Sequence, residues 1–279
     1  MRRSTGTWSP SRYTTAGDLQ DRGRFTGCLH AGTGRHMAEL EWLGIVRHGE
    51  STGNVAAARA ETGGVELIDI PERDADVPLS PTGREQADAV GRWLADLPEG
   101  QRPSVVVVSP YLRTVQTAEL AVGELGLPMA RDERLRDREL GILDLLTSHG
   151  VRTRLPAEAL RRQRLGKFYY RPPGGESWAD VTLRLRSLLG DLRRDHEGGR
   201  VLLVGHEAVV FLLRYLVEEL TEAELLEIAH DNTIGNCSLT TWRRGPDGHL
   251  SLVDFNQVDH LRREGAQPTR EDEVHAEPV

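Results

Sequence analysis

The sequence predicts an α/β fold, a mostly parallel central sheet flanked by helices, and two observations carry that prediction. From residue 42 onward, short apolar runs alternate with helix-patterned stretches, the order of strand and crossover helix. Three of the runs also end directly in polar residues able to do chemistry. Strands do this where their carboxyl ends open on a ligand crevice.

The elements follow in chain order. Residues 42–46 (Trp-Leu-Gly-Ile-Val) read as a short buried strand running into Arg47-His48-Gly49-Glu50. Residues 61–78 are irregular. A helix opens in Leu79-Ser80-Pro81-Thr82-Gly83 and runs to about Leu97, with Thr82 as its expected N-cap and Glu85 at capping-box spacing. Residues 105–108 are four valines, a β-branched run of the kind found in central parallel strands. Ser109-Pro110 ends that run, and a helix follows from Tyr111 to about Leu125. Another buried strand spans 201–204, then Gly205-His206-Glu207 leads into a helix from Ala208 to Glu219. Residues 224–230 form an amphipathic helix. Residues 239–242 and 250–255 make a final strand pair around Pro246-Asp247-Gly248. Between 142 and 195 the chain is mostly helical and Arg-rich, broken by Arg171-Pro172-Pro173-Gly174-Gly175.

Composition narrows the function. No stretch approaches the roughly 20 apolar residues of a membrane span, so no membrane partner is expected. Cys28 and Cys237 can build neither a disulfide framework nor a zinc site, which fits a reducing, cytoplasmic setting. Residues 1–36 hold six Arg against Asp18 and Asp21, without periodicity and without the apolar core of a signal peptide. They are expected to be a disordered extension. The remaining 37–279 carries 29 basic and 41 acidic residues, a balance of −12 against −8 for the whole chain. Such acidity argues against a nucleic-acid surface. The expected organisation is one domain over 37–258, with a helical lid inserted at about 142–178, and a disordered acidic tail over 259–279.

The three strand ends bring Arg47 and His48, Ser109 with Arg113 beyond it, and His206 toward one crevice. Two arginines beside two histidines are an odd set for a metal ion, because guanidinium groups repel cations and bind oxyanions bidentately. They suit a phosphoryl centre instead. One histidine would attack phosphorus while the arginines neutralise charge on the equatorial oxygens. A small cationic pocket would then sit inside an acidic protein.

These residues fall in four ordered blocks. Arg47-His48-Gly49-Glu50-Ser51, with Asn54 beyond, resembles the RHG signature of the histidine phosphatase (phosphoglycerate mutase-like) superfamily. The Leu79–Ala87 stretch, Ser109-Pro110-Tyr111-Leu112-Arg113 with Gln116-Thr117-Ala118, and Val204-Gly205-His206 are similar to its following segments. The resemblance covers about 43–210. It implies a phosphoglycerate mutase-like fold, His48 as the nucleophile that becomes phosphorylated, and Arg47, Arg113 and His206 as the phosphate pocket. It further implies Asn54 and Ser51 in substrate binding, no metal and no organic cofactor.

The sequence departs from the family pattern at the proton donor. Members of the mutase type place a glutamate four residues before a glycine; here Asp137-Arg138-Glu139-Leu140-Gly141 puts Asp137 there, one methylene shorter. Glu139 is its rival, since residues two apart on an extended segment share a face. Motif position favours Asp137. Glu207 follows His206 where glycine is usual, and is expected to be a solvent-facing helix-start carboxylate. The basic run Arg152, Arg154, Arg161, Arg162, Arg164, Lys167 and Arg171 reads first as a solvated helix face. The stretch 166–177 resembles phosphatase-type members, which weights the reading toward hydrolysis.

His206-Glu207 begins an H-E-x-x-H zinc motif, but Val210 stands where the second histidine must be. No phosphate-loop or dinucleotide fingerprint occurs. The expected activity is a phosphomonoesterase acting through phosphohistidine on a small phosphorylated substrate. A phosphoglycerate mutase or related phosphotransferase is the alternative, and a non-catalytic phospho-ligand module the third. No exposed apolar element marks an interface, so no oligomeric state is assigned.

Overall fold

A computed structural model describes residues 39–270. Its strands are β1 (Trp42–Arg47), β2 (Val105–Val108), β3 (Met129–Arg131), β4 (Arg200–Gly205), β5 (Leu239–Arg244) and β6 (Leu250–Gln257). They form one sheet in the order β3-β2-β4-β1-β5-β6. The first four are mutually parallel, and β5 and β6 complete the sheet antiparallel. β1, β2 and β4 are buried almost throughout, which explains why they read as unbroken apolar runs.

The helices are α1 (Thr52–Thr62), α2 (Pro81–Asp96), α3 (Leu112–Val122), α4 (Ser148–Arg154), α5 (Pro156–Tyr169), α6 (Trp178–Asp195), α7 (Glu207–Val217), α8 (Glu222–Asp231) and α9 (Asp259–Arg263). Two apolar clusters fill the two sheet faces. One gathers α6, α7 and α8, including Leu185, Leu188, Val209, Phe211, Leu212 and Leu213. The other gathers α2, α3 and α9, including Ala87, Val90, Leu94, Ala118 and Leu261. Each fully buried Leu or Phe contributes about 1.5–3 kcal/mol relative to exposure. The mostly parallel α/β architecture expected from the sequence is the one observed.

Two local expectations are corrected. α2 is capped by Ser80, not Thr82: Ser80 Oγ accepts from Gly83 N at 3.0 Å. The cause is Pro81, whose ring suits the first helical position and holds the residue before it extended. The chain beyond 258 does not simply trail away, because Leu261 of α9 and Ala266 after it are buried in the cluster that holds α2, and Arg92 Nε donates to Glu264 Oε2 at 2.9 Å. Only 271–279 of the expected tail, and the expected extension 1–36, lie outside the described residues. Two elements also carried no readable pattern: α1, with its weak amphipathicity, and the three-residue edge strand β3.

The 142–178 segment contains α4 and α5, as expected of helical sequence. Contacts tie it to the loop after α1. Thr147 Oγ1 donates to Val65 O at 2.6 Å, and Arg154 pairs with Glu66 at 2.6 Å. Lys167, read as solvated, instead lies over the Trp178 ring at 4.7 Å.

Candidate active site

The pairing of β1 with β4, and of β4 with β2, places three strand ends side by side. Arg47 closes β1 and His48 follows it; Ser109 follows β2; His206 follows β4 as the N-cap of α7. All four are buried. The convergence expected from the strand ends is therefore present. The His48 and His206 rings stand edge to face, with centroids 5.3 Å apart.

His48 Nδ1 lies 2.8 Å from Gly49 O. A carbonyl can only accept, so Nδ1 carries the proton and Nε2 keeps the lone pair. Burial, then the nearby Arg113, Arg47 and His206, hold the His48 pKa well below its ordinary value. His48 is therefore neutral at pH 7.

The loop that carries His48 is clamped by α2 and α3. Gly83 is pressed so close that an added Cβ would sit 2.0 Å from Glu50 O, and one on Gly49 would sit 2.4 Å from Gly83 O. Gln86 Oε1 accepts from Glu50 N at 2.9 Å, and Thr117 Oγ1 accepts from Gly49 N at 3.0 Å. Gln116 Oε1 accepts from Leu79 N at 2.8 Å. The Gln and Thr of the second and third sequence blocks thus act as brackets on the first.

Arg113, on α3, donates through Nη2 to Asp137 Oδ2 at 3.0 Å. Its Nη1 donates to Asp74 O at 2.6 Å and to Asp74 Oδ1 at 3.0 Å. Tyr111 flanks both partners, 4.9 Å below the Arg113 guanidinium and 5.2 Å from the His206 ring. His206 Nε2 shares a 2.8 Å hydrogen bond with Ser109 Oγ, and its Nδ1 stands 3.2 Å from Asp137 Oδ2. Burial lowers the His206 pKa, offset in part by Asp137. Burial works against the charge of Asp137, yet His206 and Arg113 hold its carboxyl well below the usual range.

Asp137 and Glu139 part company here. Asp137 touches both His206 and Arg113, whereas Glu139 accepts from the Tyr111 hydroxyl at 3.1 Å. Ser51 and Asn54 are engaged in capping α1: Ser51 Oγ accepts from Asn54 N at 3.0 Å, and Asn54 Oδ1 from Ser51 N at 2.8 Å. Glu207 does not simply face solvent. Its Oε1 accepts from Ile234 N at 3.0 Å, while Ile234 O accepts from Arg47 Nη1, so Glu207 steadies the carbonyl that holds Arg47.

The expected cationic pocket is also corrected. The pKa values of both imidazoles are lowered, and Asp74 and Asp137 both pair with Arg113. Asp74 enters from the 71–78 loop, where irregular sequence carries no signal of the approach. Asn236 was missed as well, and its Nδ2 donates to His48 O at 3.2 Å. Cys237 beside it adopts φ 52 and donates its N–H to Arg47 O at 3.0 Å.

The sheet order and this cluster at the strand ends define an α/β protein of the phosphoglycerate mutase-like fold. The profile of the histidine phosphatase superfamily (branch 1) matches residues 43–257, and the chain belongs to that superfamily. It is 32% identical over 180 residues to human 6-phosphofructo-2-kinase/fructose-2,6-bisphosphatase 4, a match covering 64% of this chain and 33% of that protein. The chain thus spans about a third of that relative's length. It is 29% identical over 245 residues to phosphoglycerate mutase-like protein AT74H of Arabidopsis thaliana, covering 78% of this chain and 79% of the relative. Among solved structures, a mycobacterial glucosyl-3-phosphoglycerate phosphatase superposes with TM-score 0.63 at 26% identity, over 78% of this chain and 99% of that one. Among the described residues, no helix is long and apolar enough to cross a membrane.

Proposed function

We propose that the protein is a phosphomonoesterase that works through a covalent phosphohistidine on His48, acting on a small phosphorylated substrate. The observation that carries this is the His48 tautomer. Its Nδ1–H is committed to Gly49 O, so a neutral imidazole presents Nε2 beside Arg113, Arg47 and His206. The phosphatases among the relatives and structural neighbours support hydrolysis.

His48 Nε2 attacks phosphorus as the ester P–O bond breaks, and Arg47, Arg113 and His206 stabilise the charge on the phosphoryl oxygens. The leaving oxygen takes its proton from Asp137. That carboxyl rests ionised against Arg113, but a phosphoryl dianion that engages Arg113 weakens this pairing and adds charge beside it. Both effects raise the proton affinity of Asp137, so substrate binding loads the acid. The resulting carboxylate then deprotonates water, which attacks phosphorus, breaks the P–N bond and releases phosphate. Ser51 and Asn54 hold the loop that presents His48, and Glu139 flanks the site through Tyr111.

The test is a phosphate-release screen over sugar phosphates, phospho-acids and an aryl phosphate, with acid-quench trapping of phosphoprotein. Turnover and a trapped phosphate, both lost in His48→Ala, are expected. Rapid isomerisation of 3-phosphoglycerate with little release would assign a mutase instead. No trapping and no turnover would leave a phospho-ligand module.

A further inference from the structure

We propose that Asp74 is a specificity-determining residue that occupies the phosphoryl-binding edge of Arg113 and selects against substrates bearing a second anionic group. This inference rests on the reading of Arg113 as a phosphoryl-holding residue, and it adds a substrate class to that reading.

The geometry is that of an internal substitute for an oxyanion. Asp74 presents Oδ1 to Arg113 Nη1 at 3.0 Å and Oδ2 to Nη2 at 3.5 Å, two oxygens against two guanidinium nitrogens. Two phosphoryl oxygens would use the same fork. The Arg113 side chain is only 6% exposed, whereas that of Asp74 is 45% exposed. The arginine is thus fixed in the wall, and the carboxylate reaches in from the mouth. Asp74 starts the short turn Asp74–Asp76, and both of its carboxylate oxygens bond to Arg113.

Two consequences follow. A phosphoryl group must displace the Asp74 carboxylate to gain Arg113, so phosphate affinity is reduced by that competition. The displaced carboxylate then stands at the mouth, where the remainder of the substrate lies. Asp137, Glu139 and Asp144 lie on the segment next to this mouth, and the fields of Asp137 and Asp144 act on Asp74. A neutral or cationic remainder is tolerated there, and a carboxylate or second phosphate is repelled.

The experiment compares the full-length protein with Asp74→Asn. Calorimetric titration with inorganic phosphate should show binding about tenfold tighter in the variant. Glycerol 3-phosphate and 3-phosphoglycerate differ at one end by a hydroxymethyl against a carboxylate. The native protein should favour the first by kcat/KM, and the variant should reduce that preference about tenfold. Asp74→Ala repeats the test while leaving the backbone carbonyl that also holds Arg113. Weaker or unchanged phosphate binding in both variants would mean that Asp74 only positions Arg113, and would overturn the inference. An unchanged substrate ratio would overturn it equally. Absence of phosphate binding in all three proteins would overturn the phosphoryl-site reading itself, and this inference with it.

Discussion

Thr269 lies twelve residues beyond the match to the family profile, yet it is wired to the loop that carries His48. Its Oγ1 donates to Asn236 Oδ1 at 3.0 Å and accepts from Gln86 Nε2 at 2.8 Å. Asn236 in turn donates to His48 O, and Gln86 accepts from Glu50 N. Thr269→Val keeps the shape and removes both bonds. Each net hydrogen bond is worth about 0.5–1.5 kcal/mol. Gln86 and Asn236 are 0% and 1% exposed, so water replaces neither partner readily. Gln86 Nε2 keeps Gln267 O at 2.8 Å, which softens one of the two losses. The expected cost is about 2 kcal/mol, roughly thirtyfold in the folding equilibrium. Urea unfolding should show the midpoint falling with an unchanged slope. Because the loop carrying His48 loses a brace, kcat should fall more than KM changes, and Thr269→Ser should restore both. A stability loss below about 0.5 kcal/mol with unchanged kcat would refute the reasoning.

Other predictions follow from the same contacts. Asp137→Asn should lower kcat by about 10²–10⁴-fold on an alkyl phosphate and much less on an aryl phosphate, whose leaving group needs no proton. Glu139→Gln should change both only slightly, and the reverse pattern would make Glu139 the acid. Gly83→Ala forces its Cβ against Glu50 O at 2.0 Å, so it should cost about 1–3 kcal/mol in unfolding assays and disturb the loop that carries His48. His48, His206 and His260 all have pKa values lowered chiefly by burial from 6.5. Below that value the unfolded chain binds more protons than the native one. Stability should therefore be highest above about pH 7 and fall on acidification through 6.5, each histidine adding at most about 1.4 kcal/mol per pH unit to the slope. A urea midpoint that stays flat or rises from pH 7.5 to 5.5 would contradict this.

The mostly parallel sheet was legible because its central strands are buried on both faces and so read as unbroken apolar runs. His48, Arg47, Arg113 and His206 were legible because each lies on, just after, or a few residues beyond such a run, where chain order and spatial order coincide. The cap of α2 was misplaced by two residues. The pattern Thr82 to Glu85 outweighed the local fact that Pro81 belongs at the first helical position. Composition hid the role of 259–270, since a polar stretch with only His260, Leu261 and Ala266 buried resembles a tail.

Sequence by itself determined the fold class, the superfamily resemblance and the residues that converge at the strand ends, because these depend on local pattern and strand order. Tertiary structure alone decided the charge state of that site. Asp74 meets Arg113 across 39 positions of chain, and Asp137 meets His206 across a still longer separation. Coulombic coupling falls with distance in space and is indifferent to distance along the chain. A pocket that looked cationic from its motifs is therefore countered at Arg113 by Asp137, which a motif marked, and by Asp74, which none announces.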